Sequence, residues 1–351
     1  MICGSYLRYS YCHPGGVLPL PVQPHSEPAT PARAVAIDTH CDTLLRLVDG
    51  ARHLDHIPEG HLDLPRLAAG GVDIQFFAVY VEPEFKPYQA WRRTLHLIDT
   101  FWRETELFPD RIQVILTAED LTAFPRPGRL GAVLAVEGAE AVEDLAVLRV
   151  LFRLGVRCLS LTWNQRNLLA EGAGEAKANG GLTRRGEEVV GEMNRLGMLV
   201  DVSHLAERSF WDVLEASSQP VIASHSNCRA LCDTPRNLSD EQLKALAAAG
   251  GVVGITLAPS LLGTGQVGLD AVVAHISHAV RVAGLEHVGL GSDYDGISST
   301  PAGLEGADSR SKIRRVLLER GYPPGEVEKI MGGNFLRVMQ SILPRQGNSI
   351  G

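Results

Sequence analysis

The sequence has no long apolar run and no basic stretch. Nowhere in its 351 residues does the sequence have the roughly 18 consecutive apolar residues that a transmembrane helix needs. The net charge is −8 at pH 7, from 33 basic and 41 acidic residues, and no basic run is interleaved with aromatic residues. The composition therefore argues against a membrane-spanning protein and against a nucleic-acid-binding protein.

Cysteine is scarce and scattered. The six cysteines lack the paired spacing of a zinc ribbon, and they stand at positions 3, 12, 41, 158, 228 and 232. In a chain of this length with 45% hydrophobic residues, isolated cysteines are typical of reduced thiols in a cytoplasmic protein with a large core. We therefore expect a cytoplasmic location and no disulfide framework.

Proline is concentrated near the N terminus. Residues 1–33 hold six of the 20 prolines, and only Arg8 supplies positive charge near the start. A secretory signal needs an uninterrupted apolar segment after a basic one, which these prolines break up. The segment is predicted to be a flexible tail, with the folded domain beginning at residue 34.

From residue 34 to about 345, short apolar runs alternate with amphipathic stretches. Eight of the runs are predicted strands, at 34–40, 72–80, 131–137, 157–163, 197–203, 220–225, 251–257 and 287–293. Near-continuous apolar strands separated by helices indicate a parallel sheet covered on both faces. Eight such units predict an α/β protein, a single (β/α)8 TIM barrel over residues 34–345. A ninth run, 111–117, is followed by no ligand-type residue and is expected to be an accessory strand outside the barrel.

Imidazoles and carboxylates end or directly follow five of the predicted strands, at the end where barrel enzymes carry their active sites. These residues are His40 and Asp42 together, then Glu137, His204, His225 and Asp293. Each alone has an ordinary explanation, such as a loop carboxylate, a helix cap or a hydrogen-bonded turn. Together they suit two divalent metal ions that share a bridging carboxylate and a bridging water. Because strand side chains alternate, His40 and Asp42 are expected on one face and Cys41 on the other.

Several motifs, in order along the chain, resemble the renal (membrane) dipeptidase family, zinc dipeptidases of the amidohydrolase-like barrel group. They are DTHCD at 38–42, HLDLPRLAAGGVDIQFFAVYV at 61–81, AVEG at 135–138, LTWN at 161–164, VDVSH at 200–204, SHS at 224–226, RN at 236–237, GLGSDYDG at 289–296 and GGNFLRV at 332–338. The resemblance extends from about residue 34 to residue 342. Soluble bacterial members match better than lipid-anchored animal ones, because the end of the sequence, QGNSIG at 346–351, carries no lipid-anchor signal.

The resemblance implies a metal-binding role for five of these residues. His40 and Asp42 would hold one zinc ion, and His204 and His225 would hold the other. Glu137 would bridge the two ions. The implied cofactor is thus Zn²⁺, two per chain, with a zinc-bridging hydroxide as the nucleophile in the hydrolysis of a dipeptide.

Four further residues receive roles in the reaction. Asp293 is the implied proton-transfer residue, with Asp295 as the competing candidate, and Arg236 would bind the free carboxylate of the substrate. The sequence departs from the family at Trp163, where the mammalian renal enzymes have a histidine in an L-T-H pattern. In its place, zinc or another donor such as Asn164 would polarise the scissile carbonyl. Trp163 and Asn164 are therefore predicted substrate-binding residues.

The resemblance also predicts a homodimer and a dipeptide substrate, with acceptance of a D-residue at the C-terminal position. One alternative is an amidohydrolase acting on a cyclic amide, a lactam or a lactone; the H-x-D motif, in place of the H-x-H of many amidohydrolases, argues against a deaminase. A second alternative is a barrel that binds metal with little turnover, which the departure at Trp163 leaves open.

Overall fold

The structure is a computed structural model that describes residues 34–175 and 177–347, so the predicted tail at 1–33 lies outside the described residues. The strands follow the predicted apolar runs. Their bounds are β1 Ile37–Asp38, β2 Ile74–Tyr80, β3 Ile112–Val114, β4 Leu130–Glu137, β5 Val156–Ser160, β6 Leu199–Asp201, β7 Ile222–Ala223, β8 Val252–Ile255 and β9 Val288–Leu290.

All of these strands pair in parallel, and eight of them form a barrel. The order is β1-β2-β4-β5-β6-β7-β8-β9, and β3 lies off this path, paired with the first residues of β4. The barrel closes between its first and last strands, where Thr39 N–H donates to Leu290 C=O at 3.2 Å and Asp293 N–H donates to His40 C=O at 3.1 Å. The predicted (β/α)8 barrel and the accessory strand are both confirmed.

Helices connect the strands and cover the outside of the barrel. Their bounds are α1 Leu44–Leu47, α2 Leu64–Gly70, α3 Ala90–Leu107, α4 Leu145–Arg153, α5 Arg184–Leu196, α6 Glu207–Ala216, α7 Asp240–Ala248, α8 Pro259–Leu262, α9 Leu269–Ala283, α10 Ser311–Glu319, α11 Pro324–Glu328 and α12 Asn334–Ile342. Local sequence sets their ends. Ser239 and Gln242 form a reciprocal capping box before α7, and Gly197 ends α5 with a φ of 74°.

The last helix seals one end of the barrel. Phe335, Val338, Met339 and Ile342 of α12 belong to a buried cluster that includes the first residues of several barrel strands. A Cβ atom at Gly289 would lie 2.4 Å from the Phe335 ring, so β9 and α12 pack closely only because this residue is glycine. With the N-terminal end of the barrel filled, the C-terminal ends of the strands are left to form a site.

Two expectations from composition can be compared with the described residues. The four cysteines among them (Cys41, Cys158, Cys228 and Cys232) are free, and three of these are buried. None of the helices described is both long enough and apolar enough to cross a membrane.

Candidate active site

The structure brings all six predicted imidazoles and carboxylates together at the C-terminal end of the barrel. Their potential ligand atoms form three groups, and within each group the atoms lie within 4.8 Å of one another. The groups are His40, Asp42 and Glu137; Glu137, His204 and His225; and His40, His225 and Asp293. The first two groups share Glu137 and correspond to the two ligand sets implied by the family resemblance.

The first group is built from the residues that follow β1 and from the end of β4. Nε2 of His40 lies 3.4 Å from Oδ2 of Asp42 and 3.7 Å from Oε2 of Glu137. Between His40 and Asp42, the Cys41 thiol faces away and donates to the Phe76 carbonyl oxygen at 3.2 Å. The predicted alternation of side chains is therefore confirmed.

The second group lies on the other side of the same glutamate. Oε1 of Glu137 is 2.7 Å from Nε2 of His204 and 3.3 Å from Nε2 of His225, while its Oε2 faces His40. The two carboxylate oxygens thus face different imidazoles. Such an arrangement suits a carboxylate that bridges two cations.

The donor atoms fit a divalent metal. Nε2 of His40 and Oδ1 of Asp42 are buried and make no hydrogen bond. Nε2 of His204 and Nε2 of His225 face each other at 2.9 Å. Buried polar atoms normally have hydrogen-bond partners, and nitrogen and carboxylate oxygen are the ligands that zinc and similar ions take. A pair of bound cations would use all of these lone pairs.

Burial and mutual repulsion shift the titration of the carboxylates. Burial, together with the charge of Glu137, raises the pKa of Asp42 to about 6. Burial raises the pKa of Asp293 to about 8, although His40 acts in the opposite direction. At His40, burial disfavours the charged ring, but the carboxylates of Glu137 and Asp42 outweigh it and raise the pKa of the imidazole to about 10. The site therefore favours positive charge at its centre.

At the other two imidazoles, burial outweighs the nearby carboxylate, and the pKa falls. Burial lowers the pKa of His204 to about 4, with Arg236 adding to the effect, and it lowers the pKa of His225 well below its usual value. Both rings are neutral near pH 7, and the neutral ring is the form of histidine that binds metals.

Asp293 and Asp295 have different surroundings, although both have a positive φ, of 66° and 67°. Oδ1 of Asp293 lies 3.9 Å from Nε2 of His40, at the centre of the cluster. The Asp295 carboxylate instead accepts hydrogen bonds from Thr43 Oγ1 at 2.6 Å and from His61 N–H at 2.8 Å. Asp295 thus ties neighbouring loops together.

Beside the cluster lies an open cavity of about 480 Å³. Its lining includes all three predicted substrate-binding residues, Arg236, Trp163 and Asn164, together with Tyr80. Two hydrogen bonds fix the Arg236 guanidinium: Nη1 donates to Ser226 Oγ and Nη2 donates to the His225 carbonyl oxygen, both at 2.7 Å. Its Nε is buried and makes no hydrogen bond.

Asn164 and Trp163 both contact the second histidine group. Oδ1 of Asn164 is 2.9 Å from Nδ1 of His204, so the amide oxygen accepts the ring N–H. The Trp163 ring lies 6.0 Å from the His204 ring and 5.2 Å from the Tyr80 ring, measured between centroids. One wall of the cavity is therefore aromatic.

Lys86 and Glu140 support that wall, and sequence reasoning did not find them. Nζ of Lys86 is 2.9 Å from Oε1 of Glu140 and lies over the rings of Tyr80 and Trp163, at 5.2 and 5.3 Å from their centroids. Glu140 follows Glu137 by three residues, and this spacing is only a weak indication that it lies near the site. Lys86 lies in the long connection after β2, and its position in the sequence does not indicate that it lies near the site.

A larger cavity, of about 540 Å³, lies near the N-terminal ends of β2 and β4, where Asp73 and Leu130 line it. None of the metal-ligand groups found among the described residues belongs to it. The chemistry is therefore concentrated at the opposite end of the barrel.

Comparison with known proteins identifies the family. Residues 29–346 match the model of the membrane dipeptidases, peptidase family M19. The chain belongs to this family. The dipeptidase tcpJ of Claviceps purpurea is 36% identical over 295 residues, which cover 81% of this chain and 69% of that protein. The family resemblance predicted from the motifs is thus confirmed, and the chain is a peptide hydrolase of the metallo-dipeptidase type.

Solved structures agree with the assignment to this family. The crystal structure of dipeptidase AC, a metallopeptidase of family M19, is 30% identical, with a TM-score of 0.83 and coverage of 89% of this chain and 99% of that chain. A metallopeptidase from Rhodobacter sphaeroides, with a bound phosphinate mimic of the dipeptide L-Ala-D-Ala, is 29% identical, with a TM-score of 0.83 and coverage of 88% and 99%. Membership of this metallopeptidase family implies a metal cofactor.

Proposed function

We propose that this M19 enzyme is a zinc-dependent dipeptidase that binds two zinc ions and hydrolyses the single peptide bond of a dipeptide. The observation that carries the proposal is Glu137, whose two oxygens face His40 on one side and His204 with His225 on the other. His40 and Asp42 would hold one ion, His204 and His225 the other, and Glu137 both. When bound, two such ions lower the pKa of a water molecule toward neutrality and polarise the scissile carbonyl.

The remaining polar residues of the cavity complete the reaction. Bound cations would favour the ionised form of Asp293, and in that form it takes a proton from the attacking water and passes it to the leaving amine. Arg236 binds the terminal carboxylate of the substrate through its planar fork, which its contacts to Ser226 and His225 hold in place. Trp163 packs against the substrate, and the amide group of Asn164 faces the same space.

The cavity favours a small substrate. Its volume of about 480 Å³ is at the lower end of the ~300–1,000 Å³ usual for small-molecule sites. We include Xaa-D-amino acid dipeptides among the substrates, because the R. sphaeroides relative is liganded with a mimic of L-Ala-D-Ala. The homodimer and the cytoplasmic location rest on the family resemblance and the composition, and they stay predictions.

A substrate panel on zinc-reconstituted protein tests the proposal. The panel holds L-Ala-L-Ala, L-Ala-D-Ala, the tripeptide L-Ala-L-Ala-L-Ala, a cyclic dipeptide, a γ-lactam and a γ-lactone, and released products are quantified by chromatography. We expect turnover of the two dipeptides, little turnover of the tripeptide, and loss of activity with a chelator. Turnover of only the cyclic compounds would replace the dipeptidase proposal with a cyclic amidohydrolase, and no turnover of any compound would contradict both.

A further inference from the structure

On the side away from the cluster, His225 contacts a buried serine and a buried aspartate. Its Nδ1 lies 2.8 Å from Oγ of Ser224, and that hydroxyl oxygen lies 2.5 Å from Oδ2 of Asp201. Solvent exposure is 1% for His225, 1% for Ser224 and 4% for Asp201. These three residues, Asp201, Ser224 and His225, form a chain of hydrogen bonds that we call the histidine relay.

Elementary hydrogen-bond chemistry fixes the direction of each bond in the relay. An ionised carboxylate only accepts, so the Ser224 hydroxyl donates its hydrogen to Asp201. Having used that hydrogen, Ser224 Oγ can only accept from the ring, and Nδ1 of His225 must carry the proton. Nε2 of His225 then has a free lone pair, which points toward Glu137 and His204.

Asp201 is itself held in one orientation. Its Oδ1 accepts the backbone N–H groups of Ser203 and Ser224, each at 2.9 Å, and so joins the ends of β6 and β7. Ser203 Oγ accepts the backbone N–H of His225 at 3.2 Å and lies 3.3 Å from Ser224 Oγ. A carboxylate with this many fixed donors has little freedom to turn, so the hydroxyl that it orients is fixed as well.

We propose that Asp201 and Ser224 are positioning residues that hold His225 in its Nδ1–H tautomer and aim Nε2 at the metal. His204 is held in the same tautomer by Asn164, so both Nε2 atoms of the second group are presented as lone pairs. The inference rests on the proposed function, because the lone pair of Nε2 matters only if a metal binds there. Partners of this kind behind a metal ligand change metal affinity or activity by about 10- to 100-fold.

Zinc titration of the full-length protein against a chromophoric chelator tests the energetic part of the proposal. Ser224→Ala and Asp201→Asn should weaken the zinc site that Glu137, His204 and His225 would form by about 10- to 100-fold, which appears as a fall in one of the two zinc affinities. Ser224→Thr keeps the hydroxyl and should stay within a few-fold of the unmodified protein. Ser209→Ala is the matched control, since Ser209 is equally buried but its hydroxyl accepts the N–H of Glu171 instead. Equal zinc affinity in all of these proteins would overturn the inference.

A second measurement depends on neither zinc nor activity. Long-range ¹H–¹⁵N spectra of histidine-labelled protein report which ring nitrogen carries the proton, and His225→Gln assigns the signal. We expect Nδ1–H at His225 in the unmodified protein and a mixture of tautomers in Ser224→Ala. An Nε2–H signal in the unmodified protein would refute the relay, even if every variant folds poorly. A protein with Nδ1–H at His225 but no zinc binding would refute the proposed function and leave the relay in place.

Discussion

At the scale of single residues, the two aspartates after β9 make the clearest contrast. Asp293 faces His40, whereas the Asp295 carboxylate is occupied by hydrogen bonds from Thr43 and His61. We expect Asp293→Asn to lower kcat by about 10²- to 10⁴-fold with zinc content unchanged, because the amide cannot accept the proton. Asp295→Asn should have a smaller effect on kcat and a larger effect on thermal stability.

Steady-state kinetics on preparations matched for zinc content decide between the two residues. Near-normal turnover in Asp293→Asn would remove this residue from proton transfer. Loss of zinc from the same variant would make it a metal ligand instead, as its grouping with His40 and His225 allows.

Arg236 differs from a surface arginine because its guanidinium is anchored at the cavity. In the proposed role, Arg236 binds the substrate carboxylate through a charge-assisted fork, and its removal should cost roughly 2–4 kcal/mol in transition-state binding. Arg236→Ala should therefore lower kcat/KM for a free dipeptide far more than for its C-terminal amide. Arg208→Ala on α6, whose partner is Asp212, serves as a control. Equal losses for the acid and the amide would show that the arginine is structural.

Glu137 is the residue on which both metal groups depend. Glu137→Ala should remove most of both zinc ions, because each group loses the carboxylate that they share. Elemental analysis after dialysis measures the outcome. Retention of two zinc ions per chain in this variant would mean that the glutamate is not the bridge.

Residues whose chemistry is visible at strand ends are predictable from the sequence, whereas residues that act through distant contacts are not. The ligand-type residues are predictable because each ends an apolar run or comes shortly after one. The link from Lys86 to Glu140 depends on how separate loops fold together, and the hydrogen bond between Asp201 and Ser224 depends on the register of β6 and β7. These contacts therefore cannot be predicted from the order of residues along the chain.

At the scale of elements, most strands are shorter than their apolar runs, whereas β4 covers the whole of its run. The run 197–203 becomes β6 over Leu199–Asp201, and the run 287–293 becomes β9 over Val288–Leu290. Left-handed backbone at His204, just after the first run, and at Asp293, the last residue of the second, turns the chain away with φ of 68° and 66°. These two strands, which lead to His204 and Asp293, therefore leave the sheet earlier than hydrophobicity predicts, whereas β4 stays in the sheet as far as Glu137.

Where the shortened strands end, the carboxylates of buried aspartates accept hydrogen bonds from backbone N–H groups. Oδ1 of Asp38 accepts the N–H groups of His40 and Ser292, at 3.3 and 2.9 Å, and Asp201 does the same between β6 and β7. Each aspartate joins the ends of two neighbouring strands beside residues that could bind a metal. Where the chain turns, hydrogen bonds to these side chains thus replace the backbone hydrogen bonds of the sheet.

Close packing of the strand ends depends on glycine at position 291. A Cβ atom there would lie 1.9 Å from the Ser224 carbonyl oxygen and 2.8 Å from Thr39 Oγ1. Because a backbone carbonyl cannot rotate away, Gly291→Ala should destabilise the protein by about 1–3 kcal/mol or more and disturb the ends of β7 and β9. Thermal unfolding is the measurement.

The control for this change is Gly191→Ala in the exposed part of α5, where an added Cβ meets no atom within 4 Å. There the free energy of unfolding should rise by about 0.5–1 kcal/mol, because alanine loses less backbone entropy in a helix. Equal melting temperatures for the two variants would contradict the packing argument.

At the scale of the whole molecule, the barrel divides the chain into an end for stability and an end for chemistry. The fold class was predictable because the eight apolar runs recur with helical spacing between them. The seal formed by α12 was not, because Phe335 packs against Gly289 from a helix outside the barrel. That seal leaves the opposite end for the metal cluster and the cavity.

Anomalous X-ray diffraction at the zinc edge, from crystals of the zinc-loaded protein, tests the central claim most directly. We expect two peaks of similar height at the C-terminal end of the barrel. One should lie about 2.0–2.2 Å from ligand atoms of His40, Asp42 and Glu137, and the other at the same distance from Glu137, His204 and His225. A single peak, or two peaks that do not share Glu137, would contradict the bridged two-zinc centre on which the proposed dipeptidase chemistry depends.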